Sequence, residues 1–235
     1  MTLIIDTSTE VALVAFIVQD ELKKVIWNAD LRHSEELLPK IFELCAQNNL
    51  KIKNLKGIIV IAGPGSFTGL RVGITCANAL KFALNIPVVG INKLDWLAWL
   101  LRVNIHKAIN ICSVIRIWSD QIFVGFYKSQ PKAFKLARVK RAKKFFVGSF
   151  SQLDREIKEP SFFVCGDKVL AKQIKNLVKK KVLEIKTKNL FTDQSLRILF
   201  EIGSQKLAKS KIEEIVLPVY MRKPHITKHK DRITI

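Results

Sequence analysis

The residues best spaced for chemistry are Ala62-Gly63-Pro64-Gly65-Ser66-Phe67-Thr68-Gly69-Leu70-Arg71-Val72-Gly73. A β-branched run, Leu55 to Ile61, precedes them and reads as a buried strand. Leu70 to Leu84 follows, long, mostly apolar and free of proline, and reads as a helix. Strand, glycine-rich turn and helix aim backbone N–H groups and the positive end of a helix dipole into one small space. That arrangement suits a phosphate or another anion. The same glycines also suit plain packing: Gly69 and Gly73 lie four apart on one helix face, where missing side chains let another backbone approach.

Spacing excludes two common phosphate loops. A P-loop needs four residues between its glycines and then Gly-Lys-Ser/Thr, but Gly65 and Gly69 have three between them and Leu70-Arg71 follow. The dinucleotide fingerprint needs a glycine where Thr68 stands, and an acidic residue where Val88-Val89-Gly90 stand.

Around this turn the chain supplies positioning elements. Thr2 to Val18 reads as a hairpin broken by the polar turn Asp6-Thr7-Ser8-Thr9-Glu10, and Lys23 to Leu31 as a third strand. Asp6 suits a turn in which its side chain hydrogen-bonds its own backbone. A helix is expected from about Ser34, as N-cap, to Asn48, with Glu35 and Glu36 in its first turn and Pro39 tolerated near its start. It carries two apolar stripes: Leu37, Ile41, Leu44 and Asn48, and beside it Leu38, Phe42 and Cys45. One stripe suffices to face a sheet, so the wider face points to a second contact. The helix after the glycine turn repeats the pattern with Leu70, Ile74, Ala77, Leu80, Lys81 and Leu84. Asn85 to Ile91 reads as a strand and Lys93 to Val103 as a helix.

Four segments resemble the TsaB (YeaZ) family, accessory proteins of tRNA threonylcarbamoyladenosine synthesis. They are Ile4-Ile5-Asp6-Thr7-Ser8-Thr9, Arg32 through Pro39, the glycine turn from Gly63 to Gly73, and Pro218-Val219-Tyr220-Met221-Arg222. The resemblance implies an α/β, actin-like ATPase (ribonuclease H-like) fold of two lobes whose active site is degenerate. The lobes would span residues 1–104 and 105–235. Asp6, Thr7, Gly63, Gly65, Ser66, Thr68 and Gly69 become candidates for a nucleotide site, shared or vestigial. Leu37, Ile41, Leu44, Leu70, Ile74 and Ala77 become candidates for the association surface, used in the family by a homodimer and by a TsaD-like catalytic partner. Catalytic relatives carry a histidine after the asparagine that ends the strand before this third helix, and another four residues later. Here Lys93 and Leu97 occupy those positions, and neither ligates a divalent metal at neutral pH. No metal site is expected.

From about His106 a second lobe is expected, opening with a hairpin of Ala108 to Ile117 and Ile122 to Tyr127. The family's Asp-Ala-Arg becomes Arg116, Ile117 and Trp118 before Ser119-Asp120, which leaves that loop's contribution open. Lys128 to Lys144 is densely basic, with Lys132, Lys135, Arg138, Lys140, Arg141, Lys143 and Lys144 around Phe134. Phe162 to Asp167 reads as strand and turn, and Ala171 to Lys181 and Ser195 to Ala208 as amphipathic helices. His225 and His229 lie four apart in a basic tail that Pro224 keeps from a metal-binding helix.

At 235 residues the chain can bury a sizeable core, and its 49% of hydrophobic residues is that of a globular protein. No apolar run is long enough to span a membrane. Asp6 and Glu10 inside the N-terminal apolar stretch argue against a signal peptide. Cys45, Cys76, Cys112 and Cys165 are scattered and read as reduced, mostly buried residues of a cytoplasmic protein. The formal charge of +20 is uneven: residues 1–100 hold 10 Lys/Arg against 9 Asp/Glu, and residues 101–235 hold 30 against 11. Such asymmetry suits a polyanion met by the C-terminal half, although lysine-rich composition and a solvated surface produce it too.

No nucleophile–base pair or paired carboxylate emerges, and His33 has no partner with which to act as a general base. A peptidase is therefore not expected. The leading expectation is a non-catalytic accessory subunit working with TsaD-like and TsaE-like partners on adenosine 37 of tRNA, with ATP or ADP entering through the complex. Two alternatives are an ATP-dependent phosphotransferase of the same fold and a basic RNA-binding protein.

Overall fold

A computed structural model describes residues 1–102, 108–118, 121–129, 139–178 and 181–220, without the side chains of 117 and 118. Several expectations lie outside this set: the side chains of Ile117 and Trp118, Ser119-Asp120, the middle of the basic run (130–138), Met221-Arg222, and the pair His225 and His229.

Strands β1 (Thr2–Asp6), β2 (Val11–Val18) and β3 (Glu21–Asn28) form an antiparallel meander, and β4 (Gly57–Gly63) and β5 (Val88–Asn92) extend it in parallel. The sheet order is β3-β2-β1-β4-β5. Parallel strands reached by helical crossovers are covered on both faces, which is why β4 reads Gly-Ile-Ile-Val-Ile-Ala-Gly without polar alternation and is buried throughout. Helices α1 (His33–Gln47) and α2 (Phe67–Leu84) cover one face, packing on Leu3, Ile5, Val14, Ile58 and Val60. The other face, Ile4, Leu13, Ala15, Ile59 and Ile61, is covered by α3 (Lys93–Arg102) and by a helix from the far end of the chain, α6 (Asp193–Leu207). A core on both faces makes this sheet a rigid platform for the turns at its edge.

The second sheet joins β6 (Ile109–Trp118), β7 (Gln121–Ser129), β8 (Val139–Arg141), β9 (Phe146–Ser149), β10 (Ser161–Cys165) and β11 (Val182–Thr187). Helices α4 (Phe150–Glu156) and α5 (Lys168–Leu177) pack on one side of it through Phe150, Leu153, Leu170 and Ile174. Helix α3 packs on the other through Leu94, Leu97 and Leu101. That helix is therefore shared between the two sheets.

Some boundaries differ from the sequence reading. Helix α2 begins at Phe67, three residues earlier than expected, because Ser66 Oγ accepts a hydrogen bond from Gly69 N–H and caps it. In α1, Ser34 is not the cap: the helix starts at His33 with Arg32 in the cap position and no side-chain cap bond. Strands β8 and β9 lie within or just after the basic run, and α6 returns to the first sheet.

Candidate functional site

The β1–β2 turn and the glycine turn meet at one edge of the first sheet. Ser66 N–H donates to the Ser8 carbonyl (2.8 Å), and Thr7 Oγ1 donates to the Gly69 carbonyl (2.7 Å). Glycine is required for this approach. A Cβ on Gly65 would stand 2.3 Å from Ser8 O, and one on Gly69 would stand 2.0 Å from Thr7 O. Gly63 adopts φ +128°, and a side chain there would meet Val219 O at 2.8 Å. The C-terminal segment thus closes over the turn, with Val219 N–H donating to the Ala62 carbonyl (2.7 Å). Asp6, Thr7, Gly63, Gly65, Ser66 and Gly69 are brought together, and Thr68 lies exposed on the first turn of α2. Much of the space into which the turn aims its backbone is filled by the chain's own Thr7 and Ser8.

Asp6 is fully buried and its Oδ1 accepts from Ser8 N–H (2.9 Å) and Ser8 Oγ (2.6 Å), the local turn bond that the sequence suggests. Its partner lies 87 residues along the chain. Lys93, the first residue of α3 and 3% exposed, places Nζ 3.0 Å from Asp6 Oδ2 and 2.5 Å from Ser8 Oγ. Position 93, where the resemblance would put a metal-binding histidine, is thus filled by an ammonium paired with the carboxylate. Leu97, at the second histidine position, is buried among Leu94, Leu101 and Val164. These residues do not fit a divalent metal, and among the described residues no group of three His, Cys, Asp or Glu side chains could hold one.

The contact of Ser8 with Lys93 has the composition of a serine–lysine dyad, but not its function. Ser8 is 1% exposed, and its hydroxyl donates to Asp6 Oδ1 and accepts from the Lys93 ammonium. His33 is also spoken for: its Nε2 is 2.8 Å from the Thr9 carbonyl, which ties α1 to the first turn.

The candidate association residues lie in the core of the first sheet. Leu37, Ile41, Leu44, Leu70, Ile74 and Ala77 are all buried against the first sheet, so their apolar surface is already covered by this chain. The outward stripe is the neighbouring one: Leu38 and Phe42 on α1 are 43% and 48% exposed, and Phe82 on α2 is 69% exposed.

A cleft of about 720 Å³ beside β5, absent from the sequence reading, is lined by Asp95, Trp99, Tyr127, Arg141 and Lys206 among others. Asp95 accepts from Tyr127 Oη (2.8 Å) and Arg141 (3.1 and 3.2 Å). Burial pushes the Tyr127 phenol up and the Lys206 ammonium down. Arg116 hydrogen-bonds the Gln173 side chain on α5.

The family model described as TsaD, tRNA N6-adenosine threonylcarbamoyltransferase, matches residues 27–119. The chain is similar to the tRNA threonylcarbamoyladenosine biosynthesis protein TsaB of Haemophilus influenzae, 32% identical over 121 residues, which are 52% of this chain and 51% of that protein. It is 28% identical over 173 residues to the TsaB of Bacillus subtilis, covering 73% of each. The matched part thus spans about half the length of the first relative and nearly three quarters of the second. In fold it is similar to YeaZ from Pseudomonas aeruginosa, with a TM-score of 0.69 and 21% identity, over 94% of this chain and 99% of that one. The resemblance read from the motifs is borne out, and so is the α/β fold of actin-like ATPase type.

Proposed function

We infer, for a chain that resembles the TsaB (YeaZ) family in both sequence and fold, a part in making N6-threonylcarbamoyladenosine at position 37 of tRNA. Its role in that pathway is that of a non-catalytic accessory subunit, which binds and activates a TsaD-like catalytic subunit. A TsaE-like ATPase completes the assembly. ATP or ADP enters through the complex, not through a metal-dependent site in this chain.

The observation that carries the reading is the outward apolar face of α1 and α2, with Leu38, Phe42 and Phe82 presented by two neighbouring helices that are anchored to the sheet by their other sides. Such a face suits a helix-on-helix contact, and an alternative partner for it is a second copy of this chain. The Lys93–Asp6 pair supports the absence of chemistry at the β1–β2 turn. The test is co-purification with the TsaD-like protein of the same cell. A stable complex with the parent chain, lost with Phe42→Lys or Phe82→Lys while both variants stay folded, is the expected result. A complex indifferent to both changes would refute this surface, and no complex at all would refute the accessory role.

A second reading, direct RNA contact, is favoured by charge placement. Lys168, Lys172 and Lys175 lie at i, i+4 and i+7 on α5 and form no ion pair among the described residues. Lys128 stands directly opposite Lys140 across β7 and β8, a like-charge pairing that is unfavourable without an anion nearby. Binding of tRNA by the isolated chain that falls steeply with salt is expected on this reading.

A further inference from the structure

We propose that the β1–β2 turn is a closed cation site whose resident cation is the Lys93 ammonium, and that shortening this side chain opens it to a divalent metal ion. The inference does not depend on the accessory role, since it concerns the isolated chain.

A carboxylate with no exposure needs a countercharge, because an unpaired buried charge is strongly unfavourable. Asp6 satisfies Oδ1 within its own turn, from Ser8 N–H and Ser8 Oγ. Its Oδ2 accepts no hydrogen bond of ordinary geometry among the described residues and meets the Lys93 ammonium as an ion pair at 3.0 Å. The same ammonium reaches Ser8 Oγ. It therefore sits against two oxygens, the donor type that hard divalent cations select.

Those oxygens cannot swing out to water when the lysine is removed. Ser8 is clamped by the bond from Ser66 N–H to its carbonyl, and Thr7 by its bond to the Gly69 carbonyl. Gly65 and Gly69 lie so close to the turn that not even a methyl group fits between. Behind them the turn is held by β1, paired on both sides. A shorter neutral side chain at position 93 would leave the Asp6 and Ser8 oxygens in place, with a negative charge and the volume vacated by the lysine's end. Waters can complete the coordination of a small cation there. The lysine is thus an internal plug. It supplies charge neutralisation without metal, and it makes the turn insensitive to the metal content of its surroundings.

The test uses the full chain, with Mn²⁺ and Mg²⁺ as probes. Thermal unfolding is compared in chelator and in millimolar metal for the parent, Lys93→Ser and the double variant Lys93→Ser/Asp6→Asn. The parent is expected to melt at the same temperature in both. Lys93→Ser should melt lower in chelator and recover by about 3–5 °C with metal. The double variant, lacking the carboxylate charge, should show no response. If Lys93→Ser does not fold in chelator, recovery of folded protein on expression and purification with Mn²⁺ is the expected outcome. The proposal is overturned if Lys93→Ser ignores metal, if the double variant responds equally, or if Lys93→Ser aggregates with and without Mn²⁺.

Discussion

Thr7 Oγ1 donates to the Gly69 carbonyl at 2.7 Å, joining the first turn of the chain to the first turn of α2 across 62 residues. The contact exists because Gly69 has no side chain: a Cβ there would lie 2.0 Å from the Thr7 carbonyl oxygen. Both partners are backbone-anchored, one to β1 and the other to a capped helix, so neither yields cheaply. Gly69→Ala is expected to destabilise the chain by about 1–3 kcal/mol or more, as overpacking does. Gly166→Ala, where nothing lies within 4 Å of the added methyl, should be near neutral. Urea midpoints of the two variants check the contrast, and equal effects would contradict it.

The C-terminal segment is held to α2 by side chains at two points. Asn78 Nδ2 donates to the Val216 carbonyl (2.9 Å), and Asn78 Oδ1 accepts from Val216 N–H (3.1 Å). Farther along, Arg71 Nε donates to Tyr220 Oη (2.8 Å) and its guanidinium lies 3.9 Å over the Phe67 ring. Asn78→Ala removes both partners of a half-buried backbone pair and should cost about 1–3 kcal/mol. Tyr220→Ala acts at an exposed site and should cost less. Proteolysis near residue 216 should quicken in Asn78→Ala, with the rest of the chain protected.

The thiols predict a pH dependence. Burial pushes Cys112 up to about 12 and Cys165 up to about 11, from an ordinary value of 9.0. Below pH 9 both thiols are neutral in folded and unfolded chains, so their contribution to stability is fully present. As pH rises from 9 towards 11–12, the unfolded chain ionises first and is favoured. Each thiol then removes about 1.4 kcal/mol per pH unit until its folded value is passed. Lysine deprotonation overlaps this range, so the check is a difference: Cys112→Ala should show a shallower loss of stability above pH 9 than the parent.

How much of this was legible in the sequence depends on whether the determining contact is local. The glycine turn, its flanking strand and helix, and the Asp6 turn follow from neighbours in the chain, and the structure agrees with them closely. The choice between the two apolar stripes of α1 was not local. Leu37-Ile41-Leu44 and Leu38-Phe42-Cys45 have the same period, and only the sheet beneath decides that Leu37 goes in and Leu38 out. Substitution at position 93 was visible against the family pattern, but its bond to Asp6 joins residues 87 apart and had no sequence signal. The return of α6 to the first sheet was hidden for the same reason. Its apolar stripe shows that it packs, without showing on what.

The lysine row on α5 gives a prediction for RNA. Lys168, Lys172 and Lys175 share the outward face of a helix whose buried side is Leu170 and Ile174, so changing them leaves the core untouched. If these side chains meet phosphates, Lys172→Glu/Lys175→Glu should weaken low-salt tRNA binding uniformly across tRNAs. It should also reduce the salt slope by about 2. Fluorescence anisotropy with labelled tRNA at several salt concentrations measures both, and an unchanged slope would assign the row to solvent.

The outward stripe of α1 and α2 separates association from folding. Ile41 has no exposure and lies in the core with Leu3, Val14 and Ile58, so Ile41→Glu buries an unpaired charge and should unfold the chain. Phe42, the next residue, is half-exposed, and Phe82 more so. Charging either should change stability by less than about 0.5 kcal/mol, as surface substitutions usually do. If the face docks a catalytic partner, the same changes should weaken the complex by at least about tenfold, because aromatic side chains dominate such contacts. Thermal melts and titration calorimetry on the same preparations give the two numbers side by side. A melt near the parent's together with a lost complex locates the interface on this stripe, whereas loss of both would mean that Phe42 and Phe82 serve the fold.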